Sequence, residues 1–169
     1  LALNGPPAML PCPGRVGDSH RFAEIALRTT PNLGTGRVSD RTGKETSARL
    51  HPDGVRVVFA RERFNDDPDS RELYVSTIDS SAAELRLTIN SSRDDEPCWS
   101  PDGDLVLFTR EIDGSSSLWT CSDSGQDEQP FLPTPTGAAD GQADWSKTTN
   151  RVVFSRRDSI GQHTLWLVN

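Results

Sequence analysis

Trp99-Ser100-Pro101-Asp102-Gly103-Asp104-Leu105-Val106-Leu107-Phe108-Thr109-Arg110 reads as a tight turn that feeds a strand. Pro presets φ at the first corner, Asp bonds its own backbone, and Gly accepts positive φ. The run after the turn is apolar at nearly every position. A strand without polar alternation is covered on both faces. The same dodecamer occurs twice more, as Leu50-His51-Pro52-Asp53-Gly54 through Arg61 and as Trp145-Ser146 through Arg156. Phe59, Phe108 and Phe154 hold one position, 49 and 46 residues apart. In the third copy Lys147-Thr148-Thr149-Asn150 replaces the Pro-Asp-Gly, and Asn150 is expected to take the left-handed conformation that Gly takes elsewhere.

A second element follows each copy. Leu73-Tyr74-Val75, Leu118-Trp119-Thr120 and Leu165-Trp166-Leu167 are equivalent, with Tyr74, Trp119 and Trp166 spaced by 45 and 47 residues. Two elements in register over three copies describe a repeat architecture. Each unit divides into four strands. Strand A is expected at 48–51, 97–100 and 143–146, strand B at 56–61, 105–110 and 151–156. Strand C follows at 72–77, 117–122 and 164–169, and strand D at 85–88 and 130–132. The expected fold is all-β: a β-propeller of three four-stranded antiparallel blades, over 46–90, 95–133 and 141–169. The third lacks strand D. Trp99 and Trp145 are read as packing between blades.

The segment Trp99-Ser100-Pro101-Asp102-Gly103 resembles the core of the TolB-like, WD-repeat-like β-propeller repeat. His51-Pro52-Asp53-Gly54 keeps the Pro-Asp-Gly and Trp145-Ser146 keeps the Trp-Ser. The resemblance covers residues 46–169. It implies a ring of typically six blades, and either a periplasmic interaction protein or the non-catalytic cap of a prolyl-oligopeptidase-like serine peptidase. Location in the periplasm or outside the cell is implied by resemblance alone. Propellers close with about 4–8 blades, so three blades imply either further blades in a longer chain or a three-plus-three homodimer. The opening Leu1-Ala2-Leu3 lacks an initiator Met, which fits a fragment or a processed chain.

Residues 1–45 read as an N-terminal extension, largely loop or linker, with Pro6-Pro7, Pro11-Cys12-Pro13-Gly14 and Gly34-Thr35-Gly36 as breakers. Within it, Phe22–Leu27 is the best source of a strand to complete the third blade. Arg21–Arg28 also passes as a short helix.

The net charge is −7 over 169 residues. The acidity lies in the repeats, which disfavours nucleic acid as a partner. No run approaches the ~20 apolar residues of a membrane span. Cys12, Cys98 and Cys121 form no CxxC, and His20, His51 and His163 have no metal-ligand spacing. His51 is expected at a strand end and His163 in a solvated B–C turn.

No Gly-x-Ser-x-Gly elbow is present. No catalytic residue, cofactor or metal site is therefore assigned. The shared motif residues, His51 to Gly54, Trp99 to Gly103, Trp145 and Ser146, are structural. The candidate ligand loops are acidic: Asp66, Asp67 and Asp69 between strands B and C, and Asp123 and Asp127 between C and D; a further acidic cluster, Asp94-Asp95-Glu96, leads into strand A. The expected function is a non-enzymatic scaffold that binds a protein or peptide. The alternative is the propeller portion of a larger enzyme, which predicts a hydrolase domain encoded alongside.

Overall fold

The computed structural model describes residues 38–39, 43–62, 71–79 and 83–169. Eleven strands form three antiparallel sheets. Blade 1 holds β1 (Glu45–Leu50), β2 (Arg56–Glu62), β3 (Arg71–Thr77) and β4 (Leu85–Arg86). Blade 2 holds β5 (Arg93–Trp99), β6 (Leu105–Ile112), β7 (Ser115–Ser122) and β8 (Gln129–Pro130). Blade 3 holds β9 (Ala139–Trp145), β10 (Val152–Arg157) and β11 (His163–Val168). Strands within each sheet follow chain order. Among the described residues there is no helix, and so none able to cross a membrane.

Each blade packs face-on against the next. Val58, Ala60, Leu73 and Val75 of blade 1 meet Trp99, Val106, Phe108 and Cys121 of blade 2. Cys98, Leu107 and Leu118 of blade 2 meet Ala143, Trp145, Val152 and Phe154 of blade 3. The apolar runs Val57–Ala60 and Val106–Phe108 are buried throughout: in blade 2 alternate residues serve the two seams, and in blade 1 Val58 and Ala60 face the seam while Val57 and Phe59 pack with Val38. Burying one such side chain stabilises by about 1.5–3 kcal/mol. No described strand of blade 1 touches one of blade 3, so the three blades form an open arc.

The Pro-Asp-Gly turns form as the sequence demands. Asp53 Oδ1 accepts the amides of Val55 at 2.7 Å and Arg56 at 3.0 Å. Desolvation opposes ionisation of Asp53, but these bonds and the Arg56 side chain outweigh it and hold the carboxyl below its usual range. Gly54 and Gly103 have φ of 73° and 84°. A Cβ on Gly54 would meet nothing within 4 Å, whereas one on Gly103 would lie 2.0 Å from His51 Nε2. Both alanine substitutions carry the left-handed backbone cost, about 1–2 kcal/mol. Gly103→Ala is expected to lose at least about 1 kcal/mol more, in urea unfolding followed by tryptophan fluorescence, because a buried ring must shift.

Several local expectations need correction. Strand A begins earlier than its apolar end in every blade, at Glu45, Arg93 and Ala139. Its polar first half is interrupted by a bulge at Ser47, Glu96 and Gln142, all with φ between 53° and 57°. The bulge hides the alternation that would mark a strand. Asn150 is not in the left-handed region. Its Oδ1 instead accepts from Trp145 Nε1 at 3.1 Å, and Ser146 Oγ takes the amide of Thr149 at 3.2 Å. Strand D shrinks to two residues, and in blade 2 it is Gln129–Pro130 rather than 130–132. His163 begins β11 instead of lying in the turn, though it is exposed. Phe22–Leu27, Arg21–Arg28, Cys12 and His20 lie outside the described residues.

Cys98 and Cys121 are free thiols buried in the two seams. Burial pushes Cys98 up to about 11 and Cys121 up to about 12, from 9.0. The unfolded thiols ionise near 9 while the folded ones stay protonated. Their contribution to stability is thus complete below pH 9 and is lost as pH rises toward 11 and 12. The urea midpoint is expected to fall over that window, and less steeply in a Cys98→Ser, Cys121→Ser variant. A window unchanged by the substitutions would contradict this origin.

Candidate binding site between blades 2 and 3

The bulged strands give every seam the same polar end. At the end opposite the Pro-Asp-Gly turns, β5 and β9 diverge and leave an open pocket of about 440 Å³. Asp95 and Glu96 of β5 line it with Glu111 of β6, and Gly141, Arg157 and His163 of blade 3 lie opposite. Arg93 stands where this pocket meets a second one, beside Asp113 and Gly114.

The bulge explains the aim of Glu96. Positive φ at a non-Gly residue is uncommon, and here it turns the side chain toward the neighbouring blade. Glu96 Oε2 accepts the amide of Gln142 at 2.7 Å and the Thr109 hydroxyl at 3.3 Å. Asp95 is held from the other side: the Ser47 hydroxyl donates to Oδ1 at 3.0 Å, and Arg71 pairs with Oδ2. Asp95 and Glu96 are therefore fixed by three blades, while Glu111 is exposed on the rim. His163 shares the pocket with Ser116 and Ser155. Among the described residues no hydrogen bond links its ring to either hydroxyl. No group of three or more His, Cys, Asp or Glu among them could hold a metal.

Acidic residues behind the pocket belong to the scaffold. Asp140 is fully buried, and Arg156 donates to both its oxygens at 2.6 and 2.7 Å. Arg110 grips Asp94 in the same way, and Arg61 grips Glu45. Each guanidinium also lies over two rings of its own blade: Phe59 and Tyr74, Phe108 and Trp119, or Phe154 and Trp166, at 4.5–5.3 Å. The Glu/Asp partners recur at 49 and 46 residues, the spacing of the phenylalanines. That coincidence is the signal in the sequence that identifies them.

The motif residues lie at the opposite end of the seams. His51 is a seam residue rather than a mere strand end: its ring stands edge-on to Trp99 at 4.6 Å, and Nε2 is 3.1 Å from the Gly103 carbonyl. Asp123, a candidate ligand residue, pairs with Arg56 across the same seam at 2.9 Å. Asp127 sits exposed in the β7–β8 turn. Neither lines the pocket, and Asp66, Asp67 and Asp69 lie outside the described residues. Residue type alone selected these loops. The site formed instead on residues read as a lead-in to a strand.

Three stacked antiparallel blades, joined by face-on seams and bulged at the first strand, define a partial β-propeller. The blades are TolB-like. Over 57 residues the chain is 35% identical to the Tol-Pal system protein TolB of Rhizorhabdus wittichii, covering 32% of this chain and 13% of that protein. The putative TolB from Agrobacterium tumefaciens superposes with a TM-score of 0.63 at 23% identity, over 77% of this chain and 46% of that structure. The uncharacterized peptidase YuxL of Bacillus subtilis is 26% identical over 99 residues, 56% of this chain and 15% of that one. The chain thus spans less than half of each. No family model matches it.

Proposed function

We propose that the chain is a non-enzymatic propeller scaffold whose pocket between blades 2 and 3 binds an extended segment of a protein partner. The observation that carries this reading is the pocket itself. Asp95, Glu96 and Glu111 line it from blade 2, with Arg93 among them 3.7 Å from Asp95, and Arg157 and His163 line it from blade 3. Such a lining suits a peptide, whose backbone needs both donors and acceptors and whose basic side chain would meet the acidic wall. Resemblance to TolB supports a protein partner and a periplasmic or extracellular setting.

Peptides selected from a random library on the intact chain are expected to carry Lys or Arg and to bind in the micromolar range. Glu111→Lys reverses one exposed rim charge without touching the core. It is expected to weaken those peptides at least tenfold by calorimetry while leaving the melting temperature within about 1 °C. Equal binding by Glu111→Lys sinks the assignment of the pocket.

The likeness to YuxL favours a second reading, the propeller of a larger peptidase. A Gly-x-Ser-x-Gly motif in adjoining coding sequence supports that reading. Further propeller repeats alone support the scaffold.

A further inference from the structure

The seam between blades 1 and 2 contains a side chain that the seam between blades 2 and 3 lacks. The bulge sets Ser47, Glu96 and Gln142 in one place, so Thr46, Asp95 and Gly141 share the place before it. On the third strands, the ladder pairs Glu62 with Arg71 and Glu111 with Ser116, which sets Arg71 and Ser116 in one place. Across the first seam, buried Arg71 reaches from β3 to the carboxylate of Asp95 on β5. Across the second seam the same two places hold Ser116 and Gly141, and both line the pocket. A long cation and a carboxylate give way there to a hydroxymethyl group and a hydrogen, and the pocket is the space left over. The carboxylate has a substitute. Glu96 Oε2 lies 3.4 Å from the point where Gly141 would carry a Cβ. Its carboxylate thus stands beside the place that the Asp95 side chain holds in the first seam. The cation has none. Among the described residues no positive group lies within ion-pair distance of Glu96 or Glu111. Arg71 and Arg93 are taken by Asp95, Arg110 by Asp94 and Arg156 by Asp140.

We infer that the occupant of the pocket is an arginine side chain of the partner, whose guanidinium pairs with Glu96 as Arg71 pairs with Asp95. Glu96 is held for that role, since its Oε2 accepts the Gln142 amide and the Thr109 hydroxyl. A planar guanidinium forks over both oxygens of a carboxylate, whereas an ammonium is a compact charge that keeps its water. The pocket of about 440 Å³ admits the whole side chain from solvent. Glu111, exposed on the rim beside Ser116, adds charge that draws a cation in. Arg157 lies on the blade 3 side, at the ladder place of Glu111 one blade on, and meets carbonyls of the same segment. The inference rests on the peptide-binding reading for the source of the side chain, and on the comparison of the two seams for its chemistry.

Titration of the intact chain with N-acetyl-arginine methylamide, followed by amide chemical shifts, tests it. Shifts are expected at Glu96, Gly141 and Gln142. The lysine analogue is expected to bind about tenfold more weakly, and the citrulline analogue, which has the shape without the charge, to give no shifts. Glu96→Gln keeps an acceptor for the Gln142 amide but loses the charge, and is expected to weaken the arginine probe about tenfold. Ser116→Arg supplies the guanidinium from β7, as Arg71 does from β3, and is expected to abolish the shifts. Glu96→Gln keeps the test decisive if Ser116→Arg does not fold. Equal binding of the arginine and citrulline or lysine probes, or undiminished binding by Glu96→Gln, overturns the inference. No shifts with the arginine probe, while library peptides still depend on Glu111, overturns it and leaves the peptide-binding reading standing. Shifts with the arginine probe in a chain that selects no peptide support the arginine site and sink that reading instead.

Discussion

Arg110→Ala is expected to destabilise the protein by about 3–5 kcal/mol, the cost of stranding a buried charge. Arg110 Nε and Nη2 donate to Asp94 at 2.7 and 2.8 Å, and Nη2 also donates to Glu128 at 2.6 Å. Desolvation works against the charged guanidinium, yet Asp94 and then Glu128 outweigh it and hold its pKa above the ordinary arginine value. Without Arg110, fully buried Asp94 keeps one side-chain donor, Asn90 Nδ2 at 2.9 Å. The variant also loses the stacking of the guanidinium on Phe108 and Trp119. At this chain length each kcal/mol moves the melting temperature by roughly 2–4 °C, so the loss is easily read by calorimetry. Replacing Arg110 and Asp94 together by leucine removes the charge imbalance and is expected to recover much of the loss. Equal loss in the single and double variants would show that the ion pair is not the cause.

Trp99→Ala is the second large effect, about 3–5 kcal/mol. The indole is fully buried in the seam of blades 1 and 2. Its Nε1 donates to the Arg49 carbonyl of the preceding blade at 3.2 Å, and His51 stands edge-on to its ring. Removing it leaves a cavity among Val58, Leu73, Val106 and Phe108 and takes one donor from the Arg49 carbonyl. His51 is held from the turn side by the Gly103 carbonyl, 3.1 Å from Nε2, which limits its collapse into the space. Trp99→Phe keeps much of the volume and loses only the donor, so it should lose markedly less. Urea midpoints of the two variants measure the difference. A Trp99→Ala protein as stable as wild type would mean that the indole is not the filler of a seam.

The blades were legible because their B and C strands repeat chemically. Val58, Phe108 and Leu118 are apolar since each serves a seam, and the turns announce themselves through Pro-Asp-Gly. Strand A was legible only at Trp99 and Trp145. Its first half carries Thr46-Ser47, Asp95-Glu96 and Gly141-Gln142, residues that read as loop. They are strand because the bulge satisfies them laterally, Ser47 on Asp95 and Gln142 on Glu96, contacts between blades that no local pattern encodes. The pocket was legible only in part. Acidity pointed to Asp94-Asp95-Glu96 as well as to Asp123, which is already engaged by Arg56, but the walls come from two blades and no local pattern joins them. The repeated Arg–acid pairs could have been found, since Glu45, Asp94 and Asp140 keep the phenylalanine spacing. The conflict over Asn150 came from treating the third turn as a copy of the first two. Its side chain, not its backbone, does the capping.

Nuclear Overhauser contacts to the Trp99 indole test the stacked-blade arrangement most directly. Cross-peaks are expected from the indole N–H to backbone protons at Arg49 and Leu50, and from the ring to His51, about fifty residues away in sequence. An indole whose contacts stay within residues 93–122, or that place β2 beside β6 in one continuous sheet, contradicts the account.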